Sequence, residues 1–157
     1  MTTTRLILVR HGETLANREF RYIGKRDDPL SEKGQEQAVQ LAQALTILPV
    51  QAIYSSPAQR AFQTATAIAA ARQQEVRIED DLRECEFVRW EGFTHAEILA
   101  RDPKEAASFA AWERDLTMTP PGGESYTAMS ERVWKPVSRC CENMRGKRWC
   151  WCRTWGR

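Results

Sequence analysis

Residues Leu6 to Thr14 read Leu-Ile-Leu-Val-Arg-His-Gly-Glu-Thr, an apolar run that carries an arginine, a histidine and a glycine onto its own end. Such a run predicts a strand, and ligands of open α/β sheets bind off the carboxyl ends of their strands. Arg10 and His11 thus stand where a cation and a nucleophile would meet a ligand. Gly12 leaves the backbone room to turn.

Downstream, strand and helix signals alternate. Ser31 is placed to cap a helix over residues 32 to 46, where Ala38, Leu41, Ala42 and Leu45 share one face. Ser56-Pro57-Ala58-Gln59 reads as a capping box with proline at the first helical position, followed by an alanine-rich helix through Ala71. Thr94-His95-Ala96-Glu97 opens a further helix and Asp102-Pro103-Lys104-Glu105 another. Ser125 starts the last one, with Met129, Val133 and Val137 at four-residue spacing. Strands fit Arg5 to Val9, Ala52 to Ser55 and Val76 to Ile78, and glycine and proline place loops at residues 22 to 29 and 117 to 123. This alternation predicts an α/β layer fold with a largely parallel sheet. At 157 residues with 42% hydrophobic side chains, the chain has the material for one domain and one core.

Charge and cysteine are unevenly spread. Residues 139 to 157 hold six basic side chains (Arg139, Arg145, Lys147, Arg148, Arg153, Arg157) against Glu142 alone, so residues 1 to 138 are mildly acidic although the chain is formally +2. The body offers no nucleic-acid footprint. Neither a membrane-length apolar stretch nor a secretory leader is present, and the expected location is the cytoplasm. Cys140, Cys141, Cys150 and Cys152 crowd the same tail as Trp149, Trp151 and Trp155. An adjacent pair followed by Cys-Trp-Cys lacks the two-residue gaps of zinc knuckles, so no metal is expected there.

Arg10-His11-Gly12-Glu13-Thr14 resembles the signature of the histidine phosphatase (phosphoglycerate mutase-like) superfamily, and Ser55-Ser56-Pro57-Ala58-Gln59-Arg60-Ala61-Phe62-Gln63-Thr64-Ala65 resembles its second block. The resemblance implies a three-layer α/β/α sandwich and a phosphohistidine mechanism without metal or other cofactor. A neutral imidazole nitrogen of His11 would attack phosphorus directly. Arg10 and Arg60 would clamp the phosphate oxygens, Arg60 from a first helical turn that favours anions. Asn17 and Gly24 match family positions that touch substrate or phosphate, although an asparagine in a turn also serves backbone geometry.

Leu82-Arg83-Glu84-Cys85-Glu86-Phe87-Val88-Arg89-Trp90-Glu91-Gly92 is similar to the block that carries the family's acid. Glu84 takes that position: it would protonate the leaving alkoxide and then deprotonate the hydrolytic water. Glu86 and Glu91 are expected to be solvated. Val88 stands where the family has glycine, which predicts a displaced loop. This short form, with Pro121-Gly122-Gly123-Glu124-Ser125, resembles the phosphatase branch that includes alpha-ribazole phosphatases. The implied partner is a small phosphorylated metabolite, with no nucleic acid or membrane; the oligomeric state is not legible. Phosphoglycerate mutase-type transfer and non-catalytic phosphate binding are the rival functions.

One family feature is missing. Relatives return to the sheet after the last helix with a strand ending in Ser-His-Gly or Ala-His-Gly, whereas here the only histidines are His11 and His95. His95, in a helix's first turn, is expected at the surface. Read one base earlier, Trp149-Cys150-Trp151-Cys152 must encode Val-Leu-Val whatever synonymous codons are used, and the codons after it can give Ser-His-Val-Gly. Residues 1 to 138 are therefore read as an incomplete histidine phosphatase domain. Residues 139 to 157 are read as an out-of-frame tail following a one-base loss near residues 133 to 139, and the expected fold lacks its C-terminal strand. A basic, tryptophan-rich tail also suits nucleic-acid binding, but frame loss explains it better.

Overall fold

The first strand sends successive side chains to different cores: Ile7 and Val9 face one and Leu6 the other, while Leu8 is exposed. The computed structural model describes residues 5–143 and 148–153, the last segment through its backbone. Strand β1 (Arg5–Arg10) leads into the one-turn helix α1 (Leu15–Arg18) and then α2 (Glu32–Leu45). Next come β2 (Ile53–Ser55), α3 (Gln59–Ala70) and β3 (Val76–Ile78). Helices α4 (His95–Leu99), α5 (Pro103–Arg114) and α6 (Tyr126–Asn143) precede β4 (Arg148–Arg153). The sheet runs β1-β4-β2-β3 with every pair parallel.

Val9 and Ile53 pack with Ala42, Leu45, Ala61 and Ile68 of α2 and α3. Leu6 and Tyr54, one position out of phase, lie against the other core, which is built on Trp90, Phe109, Trp112, Met129 and Val133. Two-residue periodicity along the strands thus separates the two clusters.

Caps set most helix starts as the sequence predicts. Ser31, Thr94, Asp102 and Ser125 each accept a hydrogen bond from a backbone N–H in the following turn, at 2.9 to 3.2 Å. The expected box at Ser56 does not form. Ser56 Oγ accepts from Ala58 N at 3.3 Å, and α3 begins at Gln59 with Ala58 at the cap, which makes no side-chain bond. Proline at position 57 fixes a turn before the helix instead of its first residue.

A larger correction concerns the sheet. The expected loss of the C-terminal strand is not observed: residues 148–153 lie between β1 and β2, with Ile7 opposite Cys150 and Arg10 opposite Arg153. Parallel pairing is made by backbone groups, which need partners between β1 and β2 whatever side chains the inserted segment carries.

Candidate active site

β1 delivers its last residues to the carboxyl edge of the sheet, and two glycines let the chain turn there. A Cβ on Gly12 would lie 2.3 Å from the carbonyl oxygen of Gly34 in α2, and one on Gly34 would lie 2.0 Å from that of Glu13. Neither position accepts any other residue without moving backbone. Gly12 N donates to Thr64 Oγ1 at 3.1 Å, and Thr64 Oγ1 donates to the carbonyl of Arg60 at 2.8 Å. The strand end is thereby joined to the first turn of α3.

His11 is 7% exposed. Its Nδ1 lies 2.6 Å from the carbonyl oxygen of Gly12. A carbonyl can only accept, so Nδ1 carries the proton and Nε2 keeps its lone pair. Burial is the main cause that brings its pKa down to about 4; Arg60 and Arg10 push the same way, and the Gly12 hydrogen bond opposes them. At neutral pH the ring is uncharged.

Arg60, in the first turn of α3, is 1% exposed. Its two terminal nitrogens donate to the carbonyls of Arg26 at 2.8 Å and Gly24 at 2.9 Å, while Nε has no partner among the described residues. Burial lowers its pKa, and Glu84, Asp28, Asp27 and Glu91 act against that. Gly24 has φ +54°, and a Cβ there would lie 2.0 Å from Glu91 Oε1. That oxygen accepts from Lys25 N at 3.0 Å and Phe87 N at 3.3 Å. Glu91, expected to be solvated, instead ties the loop that aims Arg60 to the loop that bears Glu84. Glu86, also expected to be solvated, is partly covered and pairs with Lys25.

Glu84 is 3% exposed and its Oε1 accepts from Cys85 N at 2.8 Å. Val88 adopts φ +43°, the left-handed conformation glycine would take, so the substitution is absorbed as backbone strain. Asn17 closes a capping box with Thr14: its Oδ1 accepts from Thr14 N and its own N donates to Thr14 Oγ1, both at 3.1 Å. Its cap role is thus observed.

All six residues expected at the site, Arg10, His11, Asn17, Gly24, Arg60 and Glu84, line one cavity of about 250 Å³. His95 is elsewhere, with Nε2 3.2 Å from Glu113 Oε2. Sequence reasoning missed the rest of the wall: Phe20, Arg21, Tyr22, Ile23, Phe87 and Tyr126. The available signal was Tyr126 directly after the Ser125 cap, and Phe87 in the acid block. Burial, and secondarily Glu84, raises the pKa of the Tyr126 phenol, which stays neutral. Among the described residues no group of His, Cys, Asp and Glu is arranged to hold a metal ion, and no helix is long and apolar enough to cross a membrane.

Known proteins are similar to this chain in sequence and in fold. A bifunctional protein of Mycobacterium tuberculosis is 41% identical over 133 residues, covering 84% of this chain but 36% of its own length, so the chain spans about a third of that relative. The adenosylcobalamin/alpha-ribazole phosphatase of Salmonella typhi is 37% identical over 146 residues, 89% of this chain and 71% of that one. The solved mycobacterial glucosyl-3-phosphoglycerate phosphatase in complex with VO3 superposes with a TM-score of 0.88 at 32% identity, over 97% of this chain and 75% of that one. The family match extends from residue 6 in β1 to residue 153 at the end of β4, through both arginine-bearing segments, and on that basis the chain belongs to the histidine phosphatase superfamily, branch 1.

Proposed function

We propose that the protein is a phosphomonoesterase acting through a phosphohistidine on a small phosphorylated metabolite, alpha-ribazole phosphate being one candidate, on a three-layer α/β/α scaffold. The observation that carries this reading is the 2.6 Å contact between His11 Nδ1 and the Gly12 carbonyl, which leaves Nε2 unprotonated in a cavity shared with Arg10, Arg60 and Glu84. Nε2 attacks phosphorus and the ester P–O bond breaks, while the protonated Glu84 carboxyl gives its proton to the departing oxygen. The Glu84 carboxylate then takes a proton from water, whose oxygen displaces phosphate from Nε2 and restores His11. Arg10 and Arg60 hold the equatorial oxygens as charge develops. Imidazole attack needs no metal.

Rapid quenching with 32P-labelled ester tests this. An acid-labile phosphoenzyme is expected, and it should vanish in His11→Ala; its survival in that variant would refute the assignment. The same phosphoenzyme passing its phosphoryl group to a second hydroxyl of 3-phosphoglycerate, in place of water, would favour a mutase.

A second reading, phosphate binding with impaired turnover, is favoured by the histidine inventory: His95, the chain's other imidazole, does not line the cavity. Residues 139 to 157 remain best read as out of frame. The forced Val-Leu-Val falls on residues 149 to 152, within the strand between β1 and β2, where apolar β-branched side chains suit a doubly covered strand. In that frame the histidine codon straddles positions 153 and 154, and Arg153 is the register partner of Arg10. Restoring the frame should raise turnover roughly a hundredfold, the worth of one preorganised charge-stabilising group. Equal turnover of the two chains would show that the tail is native and a second histidine is not needed.

A further inference from the structure

By chemistry the cavity lining divides into a phosphate half, Arg10, His11, Arg60 and Glu84, and an apolar half, Phe20, Tyr22, Ile23, Phe87 and Tyr126, in which Phe87 meets both Tyr22 and Tyr126 edge-on. The wall rings are braced from behind. Tyr22 stands edge-on to Phe109 at 5.5 Å and to Phe87 at 5.5 Å, and Tyr126 stacks on Trp112 at 5.3 Å with 28° between planes. At the rim, Phe20 is 65% exposed and held at φ +57°, a conformation costly for a residue with a Cβ. It is the left-handed residue that ends α1, with Arg21 N donating back to the Ala16 carbonyl at 2.9 Å, and that helix stop fixes where the Phe20 ring stands.

The apolar half lacks a spare cation among the described residues. Its one arginine, Arg21, already has its charge matched by two carboxylates: Nε donates to Glu19 at 2.7 Å, and Nη1 donates to Glu97 at 2.7 Å and to the Gly92 carbonyl at 2.9 Å. The remaining arginines of the cavity, Arg10 and Arg60, belong to the phosphate half. A carboxylate on the leaving alcohol would lie among rings, desolvated and unpaired, near the Glu84 carboxyl. A flat uncharged ring would instead meet aromatic faces and edges that are already fixed.

From this we infer that the apolar half seats the leaving alcohol and selects phosphomonoesters of uncharged, ring-bearing alcohols over those carrying a carboxylate near the phosphate. This rests on the phosphatase reading of the cavity and narrows its substrate class.

Binding of unreactive analogues to the 157-residue chain tests it without relying on turnover. Calorimetry with inorganic phosphate, benzylphosphonate and 3-phosphonopropionate should rank benzylphosphonate about tenfold tighter than the carboxylate analogue. Phe20→Ala changes an exposed side chain, and Tyr22→Leu keeps an apolar volume if the first variant fails to fold; either should reduce the benzylphosphonate-to-phosphate affinity ratio severalfold. Phosphate binding with both analogues equal, or with the carboxylate analogue tighter, overturns the selectivity and leaves the phosphatase reading standing. Failure of phosphate and both phosphonates to bind overturns both.

Discussion

Gly12 and Gly34 meet backbone to backbone, the loop after the nucleophile resting on the first turn of α2. Glycine inside an exposed helix usually costs about 1 kcal/mol relative to alanine. Here the sign reverses. Gly34→Ala should destabilise the fold by about 2 to 4 kcal/mol, because the new methyl must displace the Glu13 carbonyl and with it the His11 turn. Urea denaturation checks it, and a variant as stable as the parent would show that the two backbones have room to separate.

His11 gives the folded chain an acid-sensitive element. Burial, then Arg60 and Arg10, holds its pKa down at about 4 against an ordinary 6.5. Between those values the unfolded chain binds a proton that the folded chain refuses, so this contribution is fully present above pH 6.5 and is lost as pH falls toward 4. The difference is about 3 kcal/mol by the conversion of one pKa unit to 1.36 kcal/mol. His11→Gln should flatten the stability curve in that window relative to the parent. In an NMR titration the His11 ring proton should stay unshifted from pH 8 to about 5; a midpoint near 6.5 would contradict the buried neutral ring.

Arg60 joins binding to architecture. Arg60→Ala should reduce phosphate affinity or turnover at least a hundredfold and, by leaving the Gly24 and Arg26 carbonyls unpartnered, also cost about 2 kcal/mol of stability. Arg60→Lys keeps the charge but has no fork to bridge two carbonyls, so it should restore little of either. A lysine variant with parental phosphate affinity by calorimetry would mean that charge alone suffices.

Much of this site was readable because its elements are local in sequence. Arg10, His11 and Asn17 lie within one short stretch, and capping chemistry at Ser31, Thr94 and Asp102 is written in neighbouring residues. What escaped depends on contacts between distant segments. The close approach to Gly34 comes from α2, Glu91 is recruited by a loop 66 residues earlier, and the Tyr22 and Tyr126 wall is assembled around Phe109 and Trp112. The strand over residues 148–153 escaped for another reason: a four-residue apolar run, Trp149 to Cys152, does not by itself distinguish a buried strand from other structure, and its place follows from the backbone gap between β1 and β2.

Val88 offers a gain in stability. At 49% exposure it contributes little burial, yet it holds φ +43°, which a β-branched residue resists. Val88→Gly should stabilise the protein by about 1 kcal/mol after the greater entropy of an unfolded glycine is subtracted. Thermal unfolding would show it as a rise of a few degrees. A fall would place the side chain's contacts above the strain.

The hydrogen bonds from Gly12 N to Thr64 Oγ1 and from Thr64 Oγ1 to the Arg60 carbonyl carry a dynamic consequence. Through the one Thr64 hydroxyl they couple the nucleophile's strand end to the phosphate clamp's helical turn, so opening of either weakens the anchor of the other. Amide hydrogens of Gly12 and of the second turn of α3 should exchange with one shared protection free energy, above that of the surrounding loops. Partial unfolding is then expected to remove the imidazole and the Arg60 clamp together, so that loss of one is felt at the other.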